Sequence, residues 1–363
     1  MGHARKEQIT IMTTNECTLR CQYCAAHSSE HQDNIQKIDL GFAKRGISDF
    51  FENGGHQIRY YSGGEPTKAM DILKETWKYA KSLLVDKDKE LISEIQTNCY
   101  FDSDTADWIR NNINLVWVSI DGWKDINDKY RPAADGKGSY DVAINNALYI
   151  KEKTFVGIRF TVVPETVDKQ IDILKHFINL GFNYFCSEPV FTPVKKDSGA
   201  GKITGVDIKM YTEEFVKAWH FANENGVTYV NYFISNFDEK VDIACRTCLP
   251  APHLTTDGYV SSCDIGYYGD TPLKDLIYGK YNREKDIIEY NEEAINKLRS
   301  RKCTNIPGCT ECEVKDYCGG GCLGRAYHET RDFYGKIPEY CWAVKYLAQE
   351  LPIGEISIPY LHP

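Results

Sequence analysis

The chain reads as an α/β protein in which a parallel sheet with covering helices gives way to a small cysteine-rich domain. Short β-rich runs alternate with amphipathic stretches as far as residue 237, and beyond it the alternation stops while cysteine density rises. Strands are predicted at 8–13, 57–61, 91–96, 115–120, 157–163, 184–188 and 228–232. Between them, 40–52, 69–84, 102–112, 140–152, 167–180 and 212–225 carry apolar residues at helical spacing, several after a cap such as Asp39, Asp102 or Thr166. Such alternation implies a parallel sheet, and six or so units are too few for a closed eightfold barrel. Residues 238–349 read as a second domain with a charged helix around 287–299, and 350–363, with three prolines, as an extended tail.

Composition narrows the class. The 363 residues are 42% hydrophobic and 26% charged, enough for a sizeable core, and the net charge of -9 without a basic patch excludes a protein that coats nucleic acid. No apolar run approaches the roughly 20 residues of a membrane span. There are 14 cysteines, and their clustered C-x-x-C spacings without a secretory h-region favour reduced thiolates on metals and a cytosolic setting over disulfides.

Cys17, Cys21 and Cys24 form a C-x3-C-x2-C loop that offers three thiolates to one centre. A structural zinc site wants four protein ligands, whereas an iron–sulfur cluster can keep one iron open for a reactant. With Tyr23 before the third cysteine, the loop resembles that of the radical S-adenosylmethionine (SAM) enzymes. The resemblance implies a partial (β/α)6 barrel, a [4Fe-4S] cluster on the three cysteines, and SAM chelated by the open iron.

Gly63, Gly64, Glu65 and Pro66 follow a predicted strand and match the segment that binds the methionine amino group in that family. Alone they would also make an ordinary capped turn. By the same resemblance Ser119 and Arg131 contact SAM, Asp121 faces the substrate, and Val162 lies in a strand segment that packs against adenine. An Asp-Gly turn after Ser119 and a core role for the 157–163 strand are the competing readings.

The second half holds Cys248, Gly258 and Cys263 in C-x9-G-x4-C spacing, then Cys309, Cys312, Cys318 and Cys322 as C-x2-C-x5-C-x3-C, then Cys341. This resembles the SPASM domain, which carries auxiliary clusters in peptide-modifying radical SAM enzymes. With Cys245 as an eighth thiol, the family's crossed ligation implies one [4Fe-4S] cluster on Cys245, Cys248, Cys263 and Cys322 and another on Cys309, Cys312, Cys318 and Cys341. The chain would thus hold SAM and three clusters. Cys303 competes with Cys245, and a pair of zinc ribbons is the alternative for the whole domain. Cys99 and Cys186 end predicted strands and are either hydrogen-atom donors or buried inert thiols.

The resemblance implies a 5′-deoxyadenosyl radical that abstracts hydrogen from a peptide or protein side chain, followed by oxidation or crosslinking. Asp264, after Cys263, is the candidate base for that step. A sulfatase-maturating enzyme that forms formylglycine fits Asp264, although Ala26 and Ser62 stand where that group tends to have Tyr and Gln. A haem-precursor or other small-molecule maturase and a non-catalytic electron carrier are the further alternatives. Expected partners are the peptide substrate, an electron donor such as flavodoxin or ferredoxin and, because the sequence starts close to its first strand, a separate leader-peptide-binding protein.

Overall fold

A computed structural model describes residues 8–26, 34–61, 63–85, 89–190, 203 and 205–356. Seven parallel strands run in chain order: β1 (Gln8–Ile11), β2 (Gln57–Tyr60), β3 (Ile92–Thr97), β4 (Leu115–Ser119), β5 (Phe155–Val162), β6 (Tyr184–Pro189) and β7 (Thr228–Asn231). Helices α1 (Leu40–Glu52), α2 (Met70–Ser82), α3 (Ser103–Asn112), α4 (Lys124–Tyr130), α5 (Tyr140–Lys151), α6 (Gln170–Asn179) and α7 (Ile208–Glu224) connect them. The sheet is open, a partial (β/α)6 barrel. Asp39, Asp102 and Asp207 cap their helices by accepting backbone N–H bonds, each worth about 1 kcal/mol. Thr166 instead lies in a short 3-10 turn, and α6 starts at Gln170.

The cysteine-rich half continues the same sheet. β8 (His253–Leu254) pairs parallel with β1, and β9 (Tyr259–Ser261), β10 (Ile277–Asn282) and β11 (Ile287–Tyr290) extend it antiparallel, giving the order β11-β10-β9-β8-β1-β2-β3-β4-β5-β6-β7. The helix expected at 287–299 is therefore split: Ile287–Tyr290 pairs with β10, and only α8 (Glu292–Ser300) is helical. Apolar Ile287, Ile288 and Tyr290 suit a pleated strand, and Asn291 then caps the helix. α9 (Lys315–Cys318), α10 (Leu323–Thr330) and α11 (Pro338–Glu350) complete the chain, with α11 packed on α7. Half of the expected tail, residues 357–363, lies outside the described residues, and Glu350 belongs to α11. No described helix is long and apolar enough to cross a membrane.

Inside the barrel, strand alternation turns alternate residues inward. Arg59 is level with Glu94, Gln96 with Trp117, Trp117 with Gly157, Ser119 with Arg159, and Arg159 with Cys186. A Cβ on Gly157 would lie 2.4 Å from the Trp117 ring, so glycine makes room for the indole.

Candidate active site

The cysteine loop leaves β1 and runs antiparallel to residues 130–134. Arg20 N–H donates to Pro132 O (2.8 Å), Gln22 N–H to Tyr130 O (3.0 Å) and Ala134 N–H to Thr18 O (2.9 Å). From the other side the Gly63–Pro66 turn closes on it. Glu65 N–H donates to Glu16 O at 2.8 Å, and a Cβ on Gly64 would sit 2.2 Å from the same oxygen. Only glycine allows that approach. Cys17, Cys21 and Cys24 line a cavity of about 260 Å³ together with Tyr23, Gly63, Gly64, Glu65, Ser119, Arg131 and Cys186.

Donors converge on the loop's sulfurs: Asn98 Nδ2 lies 3.6 Å from Cys17 Sγ and Arg131 Nη1 3.9 Å from Cys21 Sγ. Burial pushes the Cys17 thiol well up and the Cys21 thiol to about 12, so without a metal to displace their protons both are neutral. Glu65 accepts from Thr67, Thr97 Oγ1 (2.7 Å) and Asn98 N–H (2.8 Å). Those bonds fill most of its capacity, leaving one lone-pair position on Oε2 beside the backbone carbonyls.

Four expected site residues sit elsewhere. Asp121 lines neither cavity: it is 1% exposed, accepts from Thr161 N–H (2.9 Å) and from Tyr23 OH, and pairs with Arg131 Nε at 3.0 Å. It anchors Tyr23 and Arg131 rather than facing a substrate. Cys99 is fully buried at a left-handed φ of 59°, with its N–H on Thr97 Oγ1, and borders neither cavity. Val162 is core, while Phe160, Thr161 and Val190 form that wall. Pro66 is buried and starts a 3-10 turn, its carbonyl accepting from Thr13. Ser62 lies outside the described residues.

A second cavity, about 680 Å³, is lined by Cys245, Cys263, Cys309, Cys312, Cys318, Cys322 and Cys341 and extends into the barrel past Arg59, Glu94 and Trp117. Protein interiors are close-packed, so a void of this size ringed by thiols is a cradle for a group. The thiols fall into two sets. Cys322 raises the pKa of Cys248 and Cys263 by like charge, and Cys245 raises those of all three, so these four are neighbours. Cys309, Cys312 and Cys341 are coupled in the same way, as is Cys318 with Cys309 and Cys341. Cys322 thus leaves its sequence neighbours for the other set. Cys245 borders the cavity and Cys303 does not, which favours Cys245 as the eighth thiol.

Among the described residues no three Cys, His, Asp or Glu side chains converge on a point that one ion could occupy. A tetrahedral zinc needs such convergence, at about 2.3 Å from each sulfur. Thiols spread round a volume fit a cluster, whose irons occupy separate corners. The run Gly319, Gly320 and Gly321 has φ of 61°, 89° and 71°; the Gly320 N–H faces Cys318 sulfur, and the Gly321 N–H donates to Cys318 O (3.2 Å).

The two cavities meet at Ala25, Tyr61, Arg159, Glu188 and Tyr267, which line both. Glu188 is held by Arg159 (2.8 Å) and by Arg325, whose guanidinium also lies 4.2 Å over the Tyr232 ring. Beside the junction a closed polar ring joins the halves. Arg59 pairs with Glu94 (3.1 Å) and Asp264 (3.5 Å); Asp264 meets His253 (3.0 Å), His253 meets Arg246 (3.4 Å), and Gln8 joins Arg246 to Glu94. Burial works against the Asp264 charge, but Arg59 and His253 outweigh it and hold the carboxyl well below its usual range. None of Arg59, Arg159, Glu188, Arg246 or His253 was singled out from sequence. The available signal was polar residues at every second position of predicted strands, as in Gln57, Arg59 and Tyr61.

Among curated proteins, the cysteine-type anaerobic sulfatase-maturating enzyme of Clostridium novyi (strain NT) is 23% identical over 325 residues, 85% of each chain. Among solved structures, native anSMEcpe with bound AdoMet superposes with a TM-score of 0.75 at 22% identity, covering 94% of this chain and 96% of that one. Streptococcus suis SuiB bound to S-adenosylmethionine gives a TM-score of 0.66 at 16% identity, covering 92% of this chain and 77% of SuiB. These likenesses to solved structures are ones of fold. Residues 11–178, which hold the cysteine loop, the Gly63–Pro66 turn and the polar strand ends, match the family model of the Radical SAM superfamily. Over those residues the chain carries a radical SAM domain, the domain of enzymes that bind SAM and a [4Fe-4S] cluster.

Proposed function

We propose that this enzyme oxidises a side chain of a peptide or protein, with Cys17, Cys21 and Cys24 holding the SAM cluster and the two further sets of four cysteines holding auxiliary clusters. The observation that carries the reading is the junction at Tyr61, Arg159, Glu188 and Tyr267, side chains that border both the space beside the SAM-site cysteines and the space beside the auxiliary cysteines. Bound SAM and clusters supply hydrogen-atom abstraction and removal of one electron. The chain's own residues do the rest. Gly64 and Asn98 hold the loop, the Arg159–Glu188–Arg325 chain fixes the junction's polar wall, and Asp264, next to Cys263 and lining the larger cavity, is the candidate base. The Cys186 thiol, pushed up to about 12 by burial, stays protonated in the wall of the SAM-side cavity.

The narrower reading is formylglycine formation on a cysteine, as in the sulfatase-maturating relatives. Asp264 directly after Cys263 favours it. Anaerobically reconstituted protein should convert SAM to 5′-deoxyadenosine and, given a cysteine-containing sulfatase-type peptide, yield a peptide with the mass of formylglycine. SAM cleavage without that product excludes the narrower reading; no cleavage at all excludes the broader one.

A further inference from the structure

We propose that Arg301 is the buried counter-cation of the auxiliary sites, a positioning residue that clamps the Gly320–Gly321 peptide and holds a fixed positive charge between the two cysteine sets. The inference rests on the proposed presence of auxiliary clusters. Arg301 ends α8 and is 0% exposed. Its Nε donates to Phe333 O (2.9 Å), Nη1 to Gly321 O (3.0 Å), and Nη2 to Gly320 O (3.3 Å) and Gly335 O (3.1 Å). The guanidinium lies beside Cys248 and near Cys322 and Cys309, and Gly321, whose carbonyl it holds, directly precedes Cys322. Every one of these partners is a carbonyl or a thiol.

Among the described buried arginines only Arg246, which bonds Gln8, Thr10 and His253, shares this lack of a carboxylate partner, and it stands beside Asp264 and Glu94 in the ring. The buried guanidinium of Arg131, which reaches Cys21, is neutralised by Asp121; Arg59 has Glu94 and Asp264, and Arg159 and Arg325 share Glu188. Burying an ion without a counter-ion costs several kcal/mol even after relaxation. Carbonyl dipoles offset part of this, and the anions placed to offset the remainder are the auxiliary thiolates, which together with iron make a net negative cluster. The clamp also has a direction. In a trans peptide C=O and N–H point opposite ways. In the Gly320–Gly321 unit the carbonyl is held by Arg301, and the N–H donates to Cys318 O (3.2 Å). One side chain therefore acts on both sets, by charge beside Cys248 and by pinning the peptide that closes the turn on Cys318. Charge and hydrogen bonds at the sulfurs set the potential of such clusters.

The test compares the reconstituted full chain with Arg301→Gln, which removes the charge, and Arg301→Lys, which keeps it without the fork. Iron and sulfide content and an EPR-monitored redox titration are the readouts. In Arg301→Gln the auxiliary reduction equilibrium should move at least tenfold toward the oxidised form, about 59 mV for one electron. The SAM-site cluster should stay put, and Arg301→Lys should keep most of the wild-type potential. Unmoved auxiliary potentials in an iron-replete Arg301→Gln protein would overturn the proposal, as would equal shifts in both variants. If Arg301→Gln cannot hold auxiliary iron, retention by Arg301→Lys supports a charge role and loss in both refutes it. Wild-type protein lacking auxiliary iron would instead refute the proposed function beneath this inference.

Discussion

Asp264 shows how neighbours reassign a residue. As a bare carboxylate after Cys263 it reads as a base, yet Arg59 and His253 hold it ionised far below its ordinary pKa, which makes it a weak proton acceptor at rest. The Arg59 contact, at 3.5 Å, is the longest in its ring and is the one that a substrate would have to open for Asp264 to take a proton. Asp264→Asn should leave 5′-deoxyadenosine formation near wild type and lower product formation about 100-fold or more. Equal product yield, measured by mass spectrometry of the peptide, would make Asp264 purely structural. Asp121 was misjudged for a related reason: a carboxylate at a strand end can face the cavity or tie down its neighbours, and only the positions of Tyr23, Arg131 and Thr161 distinguish the two.

Among elements, the turn after β2 and the loop after β1 are one device. Their joint geometry depends on Gly64, where a methyl would sit 2.2 Å from Glu16 O, a backbone atom that cannot swing aside. Gly64→Ala should therefore displace the cysteine loop, costing SAM cleavage and the loop-site iron while leaving far-UV circular dichroism and auxiliary iron intact. Full loop-site iron in that variant would show that the contact does not set the loop. The strands β8 and β9 escaped sequence reading because they are short, with two and three residues. β8 is stabilised by pairing with β1, a partner more than 240 positions away, so no local periodicity announces it.

At the scale of the whole molecule the two halves are joined by β8 on β1, by α11 on α7, by Arg325 on Glu188 and by the ring from Gln8 and Arg59 to Arg246, His253 and Asp264. The auxiliary cysteines are thereby fixed against the barrel interior. Three clusters imply about twelve irons and twelve sulfides per chain, eleven thiolates serving as ligands and one iron left for SAM. Metal analysis of anaerobically prepared protein should give those values, and the triple variant Cys17→Ala, Cys21→Ala, Cys24→Ala should lose about four irons and all SAM cleavage. Zinc in place of auxiliary iron would remove the electron path from the proposed function.

Sequence alone determined the α/β alternation, the cysteine loop with its glycine turn and the two-part cysteine pattern, because each is a local spacing that chemistry constrains over a few residues. The exclusion of Asp121 and Cys99 from the cavities and the meeting of the two cavities at Tyr61, Arg159, Glu188 and Tyr267 were decided only by tertiary structure. Each depends on which way a side chain points after the sheet has twisted and the chain's two halves have packed. Arg301 is the clearest case. In sequence it is one more basic residue at the end of a charged helix, and only burial against the carbonyls of Gly320, Gly321, Phe333 and Gly335 turns its charge into a feature of the site.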